Sequence, residues 1–390
     1  MIVGVPRESF PGERRVALIP AVIANLKKAG LEVVVEAGAG SEAGYPDSEY
    51  ADKGAKLVPQ RADVFRTADI IVQVLCHGAN DRTGGADLPL LRRDQILIGF
   101  LRPLGAMGTI RDVAASGVTS FSVELMPRTT RAQSMDALSS MGTIAGYKAV
   151  VIAADTLPRI FPMLTTAAGT ITPGRVLIIG AGVAGLQAVA TARRLGAVTS
   201  AYDMRPASKE QVQSLGGRFV ELPIEAKDAQ DAGGYARAQD ETFYRQQREL
   251  LGRVVAESDV VITAAVIPGK KSPVLVTRDM VAKMASGSVI VDLAAERGGN
   301  CEITKREEKI VEHGVTIIGW TNLASMVPYH ASQMYSRNIT AFLLHLTKDG
   351  KVNLNLQDEI IRSTLLTQGG AIVNGRIREF FSLPALASQP

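Results

Sequence analysis

Between Arg128 and Ser140 the chain reads RTTRAQSMDALSS, which gathers Arg128, Arg131, Gln133, Asp136, Ser139 and Ser140 without one His, Lys, Cys or Glu. Arg128 and Asp136 can anchor each other, Gln133 can donate and accept at once, and Ser139 can bond an amide. Such a set holds a polar ligand firmly but offers little for moving protons. The same residues also describe a helix-entry turn with Asp136 as its cap.

A second stretch, RVLIIGAGVAGLQAVATARRLGAVTSAYDMR, carries Gly180, Gly182 and Gly185 as GxGxxG between an apolar strand and a helix pattern, with Asp203 closing the next strand. That context makes it a dinucleotide fingerprint. Gly180 allows the tight turn, Gly182 lets a pyrophosphate approach backbone, and Gly185 lets the helix lie close to the sheet. Unpaired N–H groups and the dipole of the helix N-terminus favour the phosphates. Asp203 would accept hydrogen bonds from the adenosine ribose and repel a 2′-phosphate, so the fingerprint favours NAD(H). Arg205 could instead pair with such a phosphate, stack on adenine, or remain solvated. Further on, IEAKDAQDAGGYARAQDETFYRQQREL is polar, with Gly233, Gly234 and Tyr235 at its middle. It reads either as a lid whose tyrosine closes over a ligand or as a surface excursion.

The elements that must position these residues follow an alternating pattern. Apolar, β-branched runs at 2–5, 32–36, 69–75, 95–101 and 117–125 predict strands, with helical spacing in IPAVIANLKKAG between the first two. After the turn-rich ITPG at 171–174, a second series covers 175–180, 198–203, 217–222, 258–265, 287–294 and 315–320. Six strands at that rhythm complete a doubly wound sheet. The expected fold is therefore α/β, two Rossmann-like doubly wound parallel-sheet domains separated by a cleft. The first is discontinuous, 1–138 plus 325–390, because SQMYSRNITAFLLHLTKDG and the rest of the tail follow a second sheet that is already complete. The second covers 139–324, with a bridging helix at about 139–157.

Composition narrows the function classes. With 46% hydrophobic and 21% charged residues over 390 positions, the chain suits two globular α/β domains. A net charge of +4 without a dense basic cluster argues against a nucleic-acid partner. Cys76 and Cys301 share no metal-ligand or CxxC spacing, which fits a reducing compartment. No metal site is expected: His313, His330 and His345 sit in unrelated segments. The N-terminus meets charge too early for a secretory signal, and runs such as AVVIAAD fall short of the about 20 apolar residues of a bilayer span. No membrane crossing is expected.

Five segments, PRTTRAQSMDALSSMGTIAGYKAV, RVLIIGAGVAGLQAVATARRLGA, DAGGYA, VIPGKKSPVLVT and VIVDLAAERGGNCE, resemble the proton-translocating NAD(P) transhydrogenases. The likeness is to their soluble NAD(H)-binding alpha (alpha-1) subunit. It runs from VGVPRES near the start to DGKVNLNLQDEIIRSTLLTQGGAIV near the end, with RAQSMD the most specific element. A wider similarity, in GVPRE, RVAL and GGNC, is to alanine dehydrogenase and its relatives.

This resemblance implies that NAD(H) binds here, NADP(H) on a partner component, and that a membrane-embedded component carries protons. Hydride then passes directly between the two nicotinamides, and the chain has no turnover without its partners. A homodimer is implied, cytoplasmic and peripheral on the cytoplasmic face of the inner membrane. Carried over by position, Arg128, Gln133, Ser134, Met135, Asp136 and Ser139 belong to the loop at the nicotinamide that faces the partner. Gly180, Gly182, Val183, Gly185, Asp203, Met204, Arg205, Gly234, Gln247 and Val266 match NAD(H) contacts. Tyr235 matches the tyrosine of the family's mobile loop and joins Arg128, Gln133, Asp136 and Ser139 as a catalytic expectation.

That assignment accounts for the missing base. Oxidising an amino or hydroxy acid releases a proton with the hydride and needs a tuned acid–base group. Exchange between two nicotinamides moves no proton at the reacting carbons, so positioning at about 3–3.5 Å suffices. Two rival readings are an alanine dehydrogenase-like oxidoreductase and a non-catalytic NAD sensor. The dehydrogenases use a Lys and a His on strands of the first domain, and here Leu75 and Arg102 stand in those places. Arg15 keeps a position that binds substrate carboxylate in the dehydrogenases. His77 could substitute as base but reads as a solvated loop residue. The sequence departs from the family in MGTIAGY, where a more polar triplet usually precedes AGY.

Overall fold

The computed structural model describes residues 1–105, 107–223 and 239–384. The chain divides into two compact units, 1–141 with the tail from Ser325, and 142–324. In chain order the strands are β1 (Ile2–Val5), β2 (Glu32–Glu36), β3 (Lys56–Val58), β4 (Ile70–Leu75), β5 (Ile96–Phe100), β6 (Thr119–Ser122), β7 (Leu164–Thr166), β8 (Gly169–Ile171), β9 (Arg175–Ile179), β10 (Val198–Tyr202), β11 (Arg218–Phe219), β12 (Val260–Thr263), β13 (Val289–Asp292), β14 (Lys309–Glu312), β15 (Val315–Ile318), β16 (Thr347–Lys348), β17 (Lys351–Val352), β18 (Leu365–Gln368) and β19 (Ala371–Ile372).

The first unit carries one sheet in the order β19-β18-β6-β5-β4-β1-β2-β3. From β3 to β6 all pairings are parallel, and the winding reverses between β1 and β4. Strands such as β4 are buried on both faces, so Ile70, Ile71, Val72 and Val74 form a near-continuous apolar run instead of an alternating one. The tail adds β18 and β19 antiparallel at the β6 edge. Its helix Pro328–Leu346 buries Tyr335, Ile339, Phe342 and Leu346 along one stripe.

The second unit has the order β11-β10-β9-β12-β13-β15-β14. Its six expected strands pair in parallel in the doubly wound sequence. An unanticipated strand, β14, turns back antiparallel to β15 through His313 and Gly314, both with positive φ, 50° and 76°. That is the two-residue turn whose twist matches a hairpin. The two Rossmann-like sheets are thus present, each with antiparallel additions that its parallel core did not announce. The run 117–125 forms only β6 before a 3₁₀ turn at Val123–Leu125. Residues 241–250, read as the end of a polar excursion, belong to the helix Glu241–Ala256, capped by Asp240 through the Phe243 N–H at 2.8 Å. Phe243, Gln247, Leu251 and Val255 recur every fourth residue and make its buried face.

The expected bridging segment is the helix Ala137–Thr156. At 20 residues it is long and apolar enough by composition to cross a membrane, which corrects the expectation that no segment approaches that length. Its apolarity has a local explanation: Ala149, Val150 and Ala153 are fully buried in a core with Val176, Ile178, Ala188 and Val189. Within the second unit, a Cβ at Gly146 would lie 2.1 Å from the Ala184 carbonyl oxygen. Gly146→Ala should therefore push the two helices apart and destabilise the chain by about 1–3 kcal/mol in urea unfolding, despite better helix propensity. An unchanged midpoint would show that the crossing relaxes freely.

Candidate functional site

In the second unit β9 ends at Ile179 and a helix runs from Val183 to Arg194, so three residues must turn the chain. Gly180 does so at φ +100°, where a Cβ would lie 2.8 Å from the Ala264 carbonyl carbon. At Gly185 a Cβ would lie 1.8 Å from the Gly180 carbonyl oxygen, so the helix rests on the turn itself. Gly182 is different. A Cβ there would meet nothing within 4 Å, open space beside the N–H groups of the first helical turn. These residues fit a pyrophosphate.

Asp203 is placed as expected at the end of β10, but its carboxylate is already occupied. One oxygen accepts from the Arg205 N–H at 2.8 Å and Arg205 Nε at 2.9 Å, the other from the Ala181 N–H and Arg205 Nη2, both at 2.8 Å. Four bonds fill the lone-pair sites of a carboxylate. Ribose hydroxyls would have to displace the Arg205 fork, whose Nε and Nη2 edge is committed to Asp203. Gln247, expected at the nucleotide, is buried and donates to Tyr202 Oη at 2.9 Å. Its Oε1 lacks a partner among the described residues. Burial pushes the Tyr202 phenol up to about 12, against the Gln247 bond. Met204 is half-buried, and Val183 and Val266 are exposed. Gly234 and Tyr235 lie outside the described residues.

In the first unit the opening stretch is a 3₁₀ turn, Thr130–Met135, followed directly by the helix from Ala137. Ala132 and Met135 are buried while Arg128, Gln133 and Ser134 are exposed. Asp136 accepts from the Ser139 N–H at 2.9 Å and from Ser139 Oγ at 2.5 Å. It does cap the helix, and Ser139 is its partner. Arg131 bonds Asp358 at 2.5 Å.

The strand ends of the first sheet hold a buried polar cluster that sequence reasoning largely missed. Glu8, just beyond β1, accepts from the Val74 and Leu75 N–H groups at 2.6 and 3.1 Å. Burial, helped by Glu13, pushes its carboxyl up to about 8, against the pull of those bonds and of Arg61. Arg15 is locked by Glu13 in a two-point fork at 2.7 and 2.6 Å. Glu124 accepts from the Leu101 and Arg102 N–H groups, and burial raises its carboxyl too. His77 is half-buried, with Nε2 3.3 Å from Asp112 Oδ2, and not the solvated loop residue expected. A carboxylate following a strand was the available signal for Glu8.

Residues 4–145 match the family model described as alanine dehydrogenase/PNT, N-terminal domain, and residues 149–375 match its C-terminal domain. The chain belongs to the alanine dehydrogenase/PNT family. It is 44% identical over 377 residues to an NAD(P) transhydrogenase alpha-subunit chain of Rhodospirillum rubrum, covering 96% of this chain and 98% of that one. The solved structure of a transhydrogenase from Sinorhizobium meliloti matches with TM-score 0.85 at 43% identity, covering 96% of this chain and 100% of the other. An L-alanine dehydrogenase structure matches with TM-score 0.80 at 26% identity, covering 98% and 99%. The transhydrogenase alpha subunits are thus the branch of the family that this chain resembles in sequence, and the dehydrogenases share its fold at lower identity.

Two measurements test the charged groups of these sites. Arg205→Ala leaves Asp203 uncompensated and should widen preference for NADH over NADPH about tenfold in binding titrations, while Asp203→Ala should narrow it comparably. Equal ratios in all three proteins would remove this pair from nucleotide selection. Glu8, with an ordinary value of 4.5, is raised in the folded chain to about 8. Its stabilising contribution is therefore complete below 4.5 and lost as pH rises through about 8. The unfolding free energy of the wild-type chain minus that of Glu8→Gln should fall between those values, by at most about 1.4 kcal/mol per pH unit, and then flatten. A constant difference would put the carboxyl in the ordinary range.

Proposed function

We propose that this chain is the NAD(H)-binding subunit of a proton-translocating transhydrogenase. It exchanges hydride between NAD(H) held here and NADP(H) held by a partner component, while a membrane-embedded component moves protons. The observation that carries this reading is that neither place of the dehydrogenase acid–base pair holds a base, while the Glu8 carboxyl beside them is engaged by the Val74 and Leu75 N–H groups. Leu75 and Arg102 stand in the places of the dehydrogenase Lys and His. Arg102 lies 3.7 Å from Asp81, and Arg15 is held by Glu13. The 128–139 loop likewise contains no His, Lys, Cys or Glu.

NAD(H), when bound, supplies the carbon that gives or takes the hydride. The chain's residues bind and orient. Gly180, Gly182, Gly185 and the N-terminus of helix 183–194 receive the pyrophosphate, and Asp203 with Arg205 selects at the ribose. Arg128, Gln133 and Ser134 orient the nicotinamide end, and Met135 anchors the turn that presents them. Asp136 fixes that turn through the Ser139 N–H and hydroxyl. Association as a homodimer on the cytoplasmic face of a membrane rests on the resemblance alone, while the subunit names of the relatives speak for a complex with other subunits.

The test mixes this chain with an NADP(H)-binding component of the family and follows reduction of an NAD analogue by NADPH, with alanine and pyruvate offered in parallel. Exchange with the partner and none with alanine is expected. Turnover of alanine would favour a dehydrogenase, and nucleotide binding without either activity a sensor. Gln133→Asn and Asp136→Asn, which keep polarity and a capping side chain, should slow exchange by roughly ten- to a hundredfold with little change in NADH affinity. Wild-type rates in both would dismiss the loop.

A further inference from the structure

The roles assigned to the 128–139 loop leave Arg131 and the returning tail without a part. We propose that Asn338 and Asp358 of the tail are positioning residues that hold the turn Thr130–Met135 in one shape, with Arg131 as its ionic anchor. This rests on the transhydrogenase reading. Asn338 lies on the helix Pro328–Leu346, is 7% exposed, and donates from Nδ2 to the Ser134 carbonyl at 2.8 Å. Asp358 is itself fixed, because it caps the helix Glu359–Thr364 through the Ile360 and Ile361 N–H groups at 2.8 and 3.4 Å. His345 Nε2 lies 3.3 Å from its Oδ1, and Arg131 Nη2 lies 2.5 Å from its Oδ2.

An acceptor already immobilised asks little further ordering of its partner, so this bridge constrains more than a pair of free surface side chains would. The two anchors come from different tail elements and grip the turn at Arg131 and Ser134, three residues apart. Ala132 and Met135 are buried, while Gln133 is left exposed. Hydride exchange without acid–base help depends on placement alone, so the groups that fix the turn control rate without touching the nucleotide.

The test uses the full chain with the NADP(H)-binding component. Asn338→Asp keeps shape but removes the donor, Asp358→Asn keeps a capping side chain but removes the charge, and Arg131→Lys is the conservative control. Asn338→Asp should slow exchange about tenfold with NADH affinity within about twofold. Arg131→Leu and Asp358→Asn should each slow it about threefold, without adding in the double variant, and Arg131→Lys should stay near wild type. Amide hydrogen exchange across residues 130–136 of the nucleotide-free chain should quicken in the same variants. Wild-type rates and protection in Asn338→Asp and Arg131→Leu would overturn the proposal, as would equal losses of affinity and rate. Should Asn338→Asp fail to fold, the Arg131 and Asp358 variants decide. If the wild-type chain exchanges no hydride, the transhydrogenase reading falls, and amide protection alone judges the anchors.

Discussion

The second unit depends on backbone approaching backbone more closely than a side chain permits. A Cβ would lie 1.8 Å from an oxygen at Gly185 and 2.1 Å from one at Gly146. With no Cβ at either place, helix 183–194 rests on the turn after β9 and helix 137–156 rests on helix 183–194. The turn is thereby held between β9 and the layers behind it, with open space at Gly182 alone. Because β9 lies between β10 and β12, that opening stands where the winding of the sheet reverses, which is where open α/β sheets receive ligands.

A second regularity concerns carboxylates at strand ends. Glu8, Glu124, Asp203 and Asp292 all accept backbone N–H groups, and Asp292, fully buried, accepts from Ala294, Asn300 and Cys301 as well as from Thr263 and Thr304 hydroxyls. A buried carboxylate is tolerable when several donors replace its water, and each such group fixes the loop that supplies the donors. Loops at these strand ends are thus pinned by charge-assisted bonds instead of being left to choose among conformations.

Fixed loops suit the chemistry proposed for this chain. A reaction that transfers hydride alone makes no demand for a titrating side chain but a strict one for geometry. The first unit shares its fold with an alanine dehydrogenase, Arg15 is bound by Glu13, and the positions that the resemblance gives to the dehydrogenase acid–base pair read Leu75 and Arg102. What remains at the Thr130–Met135 turn is an exposed polar edge over a buried apolar one.

Much of the fold was legible because its signals are local. Apolar runs mark strands buried on both faces, and glycine spacing marks a turn whose geometry tolerates nothing larger. The antiparallel additions were harder: β14 depends on a two-residue turn at His313 and Gly314, and the tail pair β18–β19 depends on an edge formed by residues far earlier. Helix 241–256 did carry a period-four signal, but the surrounding polar residues masked it. By itself the sequence determined two doubly wound sheets and the glycine turn. Tertiary structure decided which polar groups are already engaged across the chain: Glu8 by the N–H groups of Val74 and Leu75, His77 by an aspartate 35 residues away, Arg131 by the tail. Hydrogen-bond partners are chosen by approach in space, and distance along the chain does not reveal it.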